Sequence, residues 1–195
     1  MSNRKAITQQ KILRASMELF AARGFDRTSM SQIATRAGVS RTSIFWHFSD
    51  KASLFGETCR FFLVPFRESL ELSQADEDPR ERVLQQVTAY EQFVVEQHEI
   101  IHSFVSWVFA SQPHAESLRT ELLALHRAFQ KSLQHDLAQL TADDAEAACL
   151  AATIVSLLHG NMLLSLVGAA PDIAQPRTVL VRKILDRIVP EVSGA

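Results

Sequence analysis

Residues 28–48 leave the chain little conformational freedom. Ser29 and Gln32 stand at capping-box spacing and predict a helix over Met30–Ala37. Gly38 follows, and a glycine there predicts an abrupt stop, because any Cβ would be strained at positive φ. Ser40 is a second N-cap and opens another short helix that ends near His47. Two helices of about two turns, joined by a tight turn through one glycine, cross steeply in the manner of a helix-turn-helix. Ile33, Ala34 and Ala37 then face inward, Val39 fills the angle, and Ile44 with Phe48 returns to the core. Arg41, Thr42, Ser43, Phe45, Trp46 and His47 are left pointing outward.

The rest of the chain reads as helix after helix, with no alternating run bounded by hairpin dipeptides. A first helix is predicted over residues 8–23, with Ile12, Ala15, Ser16, Leu19 and Phe20 on one face, Gly24 at its end and Phe25 folding back. Asp50 caps a fourth from Lys51, bent at Pro65. After the acidic break at 75–78, Pro79 opens a helix to about Gln97. Shorter patterns follow over 99–111, stopped by Pro113, and over 114–140. Thr141 with Asp144 starts a long helix to Gly168, and Pro176 opens the last, to Val189. The expected fold class is all-α: a three-helix head over residues 1–50 and a helical body over 51–195.

Charge is divided unevenly along the chain. Residues 1–60 hold ten Lys or Arg against four acids, a net of +6, while the remainder holds ten against eighteen, a net of −8. A polyanion partner for the N-terminal part alone follows from that asymmetry. Cys59 and Cys149 are too few and too distant in sequence for a disulfide framework or a zinc cluster. The first ten residues are polar and do not read as a signal peptide, so a cytoplasmic location is expected. The most apolar stretch, 147–170, contains His159 and Asn161 and has no flanking Lys or Arg anchors. It reads as a buried helix, and no membrane partner is expected.

The outward residues of the third helix suit the major groove of DNA, where Arg reads guanine, hydroxyls take either partner and apolar rings meet thymine methyls. The run Gly24-Phe25-Asp26-Arg27-Thr28-Ser29-Met30, then Ile33-Ala34, Ala37-Gly38-Val39-Ser40 and Phe45-Trp46-His47-Phe48, with Lys51 and Leu54-Phe55, closely resembles the TetR family of bacterial regulators. The resemblance covers about residues 8–56; beyond residue 60 it is one of architecture only. It implies base contacts from Arg41, Thr42, Ser43 and Phe45, and phosphate contacts from Ser29, Ser40, Trp46, His47 and Lys51. Where many relatives carry Tyr, this chain has Phe45, so any contact it makes is apolar. The function implied is that of a ligand-responsive transcriptional regulator, not an enzyme. It would be a repressor that binds a palindromic double-stranded operator as a homodimer and is released by a small effector.

In the body, Ala145, Ala148, Ala151, Ala152 and Val155 give the long helix small residues at helical spacing. The last helix has an apolar stripe of Val179, Val181, Ile184, Leu185 and Ile188. A four-helix dimer interface is expected from these two helices of each subunit. Phe66, Tyr90, Phe93, Phe104, Trp107, His126, Asn161 and Met162 are the expected pocket residues, suiting a mainly apolar effector with one or two polar groups. Glu91 is the one acid placed to meet a cationic ligand. No cofactor and no metal are expected. The rival reading is a zinc metallohydrolase, because His98-Glu99-Ile100-Ile101-His102 fits H-E-x-x-H. Against it stand the lack of a third ligand at recognisable spacing and a helix break expected near 97–99, which would separate the two histidines.

Overall fold

The computed structural model describes residues 2–109, 115–168 and 177–188, and among these every regular element is an α-helix. Helix α1 (Ser2–Arg23) begins six residues before the expected start at Thr8. Thr8 is no cap: its hydroxyl donates to the Arg4 carbonyl at 2.9 Å, the option open to a threonine inside a helix. Gly24, at φ 80, ends the helix, and its N–H donates to the Phe20 carbonyl at 2.8 Å. Phe25 then stacks on Phe20 with ring centres 5.8 Å apart, and Phe55 meets both rings edge-on at 5.2 and 5.3 Å.

Helices α2 (Met30–Ala37) and α3 (Arg41–His47) have the expected bounds. The Ser29 hydroxyl oxygen accepts from the Gln32 N–H, and the Gln32 side chain accepts from the Ser29 N–H, which completes the capping box. Gly38 is left-handed at φ 66, so the Val39 N–H reaches the Ala34 carbonyl at 3.0 Å and closes the end of α2. Arg36 forks onto one oxygen of Glu18, at 2.8 and 2.6 Å, and ties α2 to α1. Ile12, Phe20, Ile33, Ile44 and Leu54 are fully buried beneath these helices.

Helix α4 (Lys51–Ser73) is capped by Asp50, which accepts from the Ser53 N–H at 2.7 Å, and it runs on through Pro65. Helices α5 (Pro79–Glu96), α6 (His98–Phe109), α7 (Ala115–Leu137), α8 (Asp144–Leu166) and α9 (Arg177–Ile188) complete the described order. Two boundaries differ from the sequence reading. Asp143, not Thr141, caps α8, accepting from the Glu146 N–H at 2.7 Å, because the Thr141 hydroxyl is bonded back to the Leu137 carbonyl at 3.0 Å. That same bond closes α7 three residues before Leu140. The expected boundary residues Ser111, Pro113, His114, Pro176 and Val189 lie outside the described residues.

The chain divides into two compact units: Met1–Val64 with Glu99–Leu123, and Pro65–His98 with Ala124–Ala195. In the first unit, Phe55 packs on Trp107 and Phe62 on Phe104, with ring centres 5.9 and 5.0 Å apart. The second unit contains a polar cluster in its core. The carboxylate of Asp136, wholly buried, accepts from Arg82 Nε at 2.7 Å, Gln86 Nε2 at 2.6 Å and Gln74 Nε2 at 3.2 Å. Arg82 Nη1 donates to the carbonyls of Asp76 and Glu77, so the guanidinium also pins the turn before α5.

Candidate nucleic-acid interface

Two consecutive N-caps put short hydroxyls at the mouths of α2 and α3. Ser29 and Ser40 each accept a backbone N–H through the side-chain oxygen, at 3.2 Å from Gln32 and 3.0 Å from Ser43. An accepting hydroxyl keeps its own proton, so both remain able to donate outward to an anion. On α3, Ile44 turns inward with Phe48, and the opposite face is uncovered. Arg41, Thr42, Ser40 and Ser29 are exposed, while Ser43 and His47 are half-buried. Phe45 is 46% exposed and Trp46 80% exposed, unusual for rings of this size. The Arg41 guanidinium rests 5.9 Å above the Phe45 ring one turn on, which steers its fork along the outer face. A cation, hydroxyls, an indole N–H and an apolar ring thus share one accessible surface.

Lys51 has a different geometry. Its ammonium lies 4.2 Å from the centre of the Phe25 ring and donates to the carbonyls of Phe25 at 2.9 Å and Thr28 at 3.1 Å. Two of three N–H groups are therefore held by the turn between α1 and α2. The partners lie 26 and 23 residues away in sequence, which is why residue spacing gives no hint of them. Thr28 supports the same turn: its buried hydroxyl donates to the Gly24 carbonyl at 2.8 Å.

The residues expected to line an effector pocket divide between the units. Phe104 and Trp107 pack within the first. Phe66, Tyr90, Phe93, His126, Asn161 and Met162 belong to the second, where Phe66 contacts Tyr90, Phe93 and Phe129 with ring centres 5.3–5.8 Å apart. Tyr90 donates to the Met162 sulfur at 3.5 Å, and burial pushes its phenol well above the usual range. Asn161 accepts from Arg177. Sequence reading missed His159, whose ring lies 5.5 Å from Tyr90 and 5.3 Å from His126. Burial, with His126 adding to it, holds His159 below the ordinary imidazole value. Glu91 is already engaged: it accepts from the Arg177 N–H at 2.8 Å and the Thr178 hydroxyl at 3.0 Å, capping α9. That corrects its expected place opposite a cation.

The expected interface stripes also need correction. Ala151 and Val155 of α8, and Val181 and Leu185 of α9, are buried within the chain. The face of α8 that is left open carries Ala145, Cys149, Ser156, Leu163, Leu164 and Val167. On α6, the chain breaks at Gln97 (φ −108, ψ 16), ahead of both histidines, so His98 and His102 do share one helix, one turn apart and exposed. Among the described residues no group of three or more His, Cys, Asp or Glu is gathered to hold a metal.

A model of bacterial regulatory proteins, TetR family, matches residues 12–58. The transcriptional regulator AcrR of Shigella flexneri is 48% identical over 50 residues, 26% of this chain and 23% of that protein. The transcriptional repressor BepR of Brucella suis is 29% identical over 131 residues, 62% of this chain and 63% of that protein. The match thus spans less than two thirds of either relative. Among solved structures, a TetR transcriptional regulator from Legionella pneumophila superposes with a TM-score of 0.66 at 20% identity, over 92% of this chain and 95% of that one. The fold is therefore that of the TetR regulators along nearly the whole chain, and the sequence likeness is concentrated in the head. Through that head, with its capped helices and the glycine turn between them, residues 12–58 match the TetR family of bacterial regulatory proteins.

Proposed function

We propose that the chain is a cytoplasmic transcriptional regulator, a repressor that binds a palindromic operator as a homodimer and is released by a small effector. Residues 1–50 act on DNA and residues 51–195 hold the effector and the partner subunit. The observation that carries the reading is the uncovered face of α3, where Arg41, Thr42, Phe45 and Trp46 stand exposed on a helix otherwise anchored in a core. The test is selection of duplexes from a random library by the purified chain. Enrichment of two similar inverted half-sites is expected, and recovery of unbiased DNA at moderate salt would refute sequence-specific binding.

Arg41 is assigned to a guanine edge. Arg41→Ala is expected to cost about 1–3 kcal/mol on the selected site and to relax the preference at one base position. Competition binding against the site and against random DNA measures both. Equal losses on the two would remove Arg41 from the base-reading set and place it among the phosphate contacts.

The dimer reading rests on α8. Its most apolar window has a mean hydropathy of 1.7, yet only 28% of that window is buried within the chain. A helix so apolar needs a cover for its other side, and Ala145, Cys149, Ser156 and Leu163 allow the close approach of a second helix. Cys149 supplies a built-in probe. A bis-maleimide with a spacer of about 8–10 Å, the usual distance between packed helix axes, should give a covalent dimer. Cys149→Ser should abolish it, since Cys59 is buried and its thiol pushed up to about 12. A monomer in the presence of reacted Cys149 would rule out this face.

The effector site is assigned to the aromatic cluster of the second unit, Phe66, Tyr90 and Phe93 with His126, Asn161 and Met162. The ligand acts by binding one of two head arrangements better than the other, which shifts the population away from the DNA-bound form.

A further inference from the structure

We propose that His126, His159 and Met162 form a binding site for a soft monovalent cation, copper(I), in the second unit. His159 and Met162 lie three residues apart on α8 and therefore share a face. His126 reaches the same place from α7, with its ring centre 5.3 Å from that of His159 and the planes inclined by 34°. Two imidazoles on one metal, with bonds of about 2.0 Å and ring centres about 1.1 Å beyond the nitrogen, have that separation when the angle at the metal is about 117°. The spacing therefore fits a trigonal site with one ligand still to come. The Met162 thioether is at hand: its sulfur is held 3.5 Å from the Tyr90 hydroxyl, and the Tyr90 ring lies 5.5 Å from His159.

The surroundings favour occupancy by a ligand. Among the described residues neither imidazole has a hydrogen-bond partner, so both rings keep their nitrogens uncommitted. Tyr90 and Phe129, stacked with ring centres 5.7 Å apart, form an apolar wall behind the cluster. All three ligands are half-buried, which leaves a way in.

Charge selects the ion. Imidazole nitrogens and a thioether bind a metal as uncharged donors, and among the described residues no Cys, Asp or Glu joins the two histidines. The cost of desolvating an ion rises with the square of its charge, so a divalent ion with three neutral ligands is left poorly compensated. A thioether is a soft ligand that favours copper(I) over zinc, and two imidazoles with one thioether suit the low coordination of a d10 monovalent ion. Binding itself does not depend on the regulator reading; only copper(I) as the natural effector rests on it.

The test is anaerobic titration of copper(I) into the full chain against a bicinchoninate competitor, in a Cys149→Ser background so that the exposed thiol takes no metal. One equivalent per chain should be withheld from the competitor. His159→Gln and Met162→Leu, which keep the side-chain volume, should each weaken binding about tenfold or more while leaving the thermal melt of the metal-free protein in place. X-ray absorption should show nitrogen and sulfur ligands together. Retention of copper by both variants, absence of the equivalent, or preference for zinc over copper(I) would each overturn the assignment. Operator binding measured without metal reports on the head alone, so loss of copper binding with intact operator binding defeats this inference and leaves the regulator reading standing.

Discussion

Asp136→Ala is expected to destabilise the second unit by about 3–5 kcal/mol, the usual cost of removing one member of a buried ion pair. The size follows from what stays behind. Arg82 is 8% exposed and still carries its charge, and the amide nitrogen of Gln86 loses its acceptor, while Gln74 keeps only the Ser132 hydroxyl. Gln86 is already marginal, since its own carbonyl oxygen is buried without a partner among the described residues. Asp136→Asn should recover part of the loss, because one amide oxygen can still accept from Arg82 Nε while the charge is gone. Urea unfolding followed by circular dichroism reads both variants. A midpoint for the alanine variant within about 1 kcal/mol of the parent would mean that water replaces the carboxylate and that the cluster is not closed.

The second large effect is expected at Lys51, where two roles can be separated. Lys51→Ala removes two charge-assisted hydrogen bonds and a cation over a ring, and should destabilise the head by about 2–3 kcal/mol. It should also weaken DNA binding on every sequence alike, and lower the slope of log affinity against log salt by about one at most. Lys51→Met keeps the stem over Phe25 and removes only the ammonium. If Met matches Ala in both assays, the carbonyl clamp and the phosphate contact account for the residue. If the melt stays unchanged while DNA affinity falls, the clamp seen at Phe25 and Thr28 gives way to DNA, and Lys51 acts only on phosphate.

Caps and turns whose residue types leave one local option were legible in the sequence. Ser29 with Gln32, Gly38, Ser40 and Asp50 each fix a boundary through bonds to residues three or four positions away, and each stands where the spacing predicted. The Phe20–Phe25 stack across Gly24 is equally local. The errors arise where a polar group has a choice of partners. Thr8 bonds backwards inside α1 instead of starting it, Thr141 bonds backwards to the end of α7 instead of opening α8, and periodicity cannot tell these options apart. Glu91 is 86 residues from the helix end it caps, and Asp136 is 54 residues from Arg82. No pattern along the chain pairs such groups, and it takes the packing of helices to bring them together. The α8 stripe failed differently. A helix apolar on every side has no amphipathic signal to say which face its own chain covers, and Ala151 and Val155 proved to be inside.

Helix α3 has only seven residues, and that length sets a limit on how much information the head can extract. At 1.5 Å per residue it is about 10 Å long, which matches about three base pairs at 3.4 Å each. Three fully specified pairs recur by chance about once in every 64 positions, so one head could not find a single address among roughly 10⁶ competing sites. Singling out one address on that scale takes about ten specified pairs, and the two heads of the proposed dimer would together read only about six. The shortfall of about four pairs must come from sequence that no side chain touches, through the stiffness and groove width of the DNA between the half-sites. A binding site for this protein should therefore keep a constrained spacer as well as its two short inverted words.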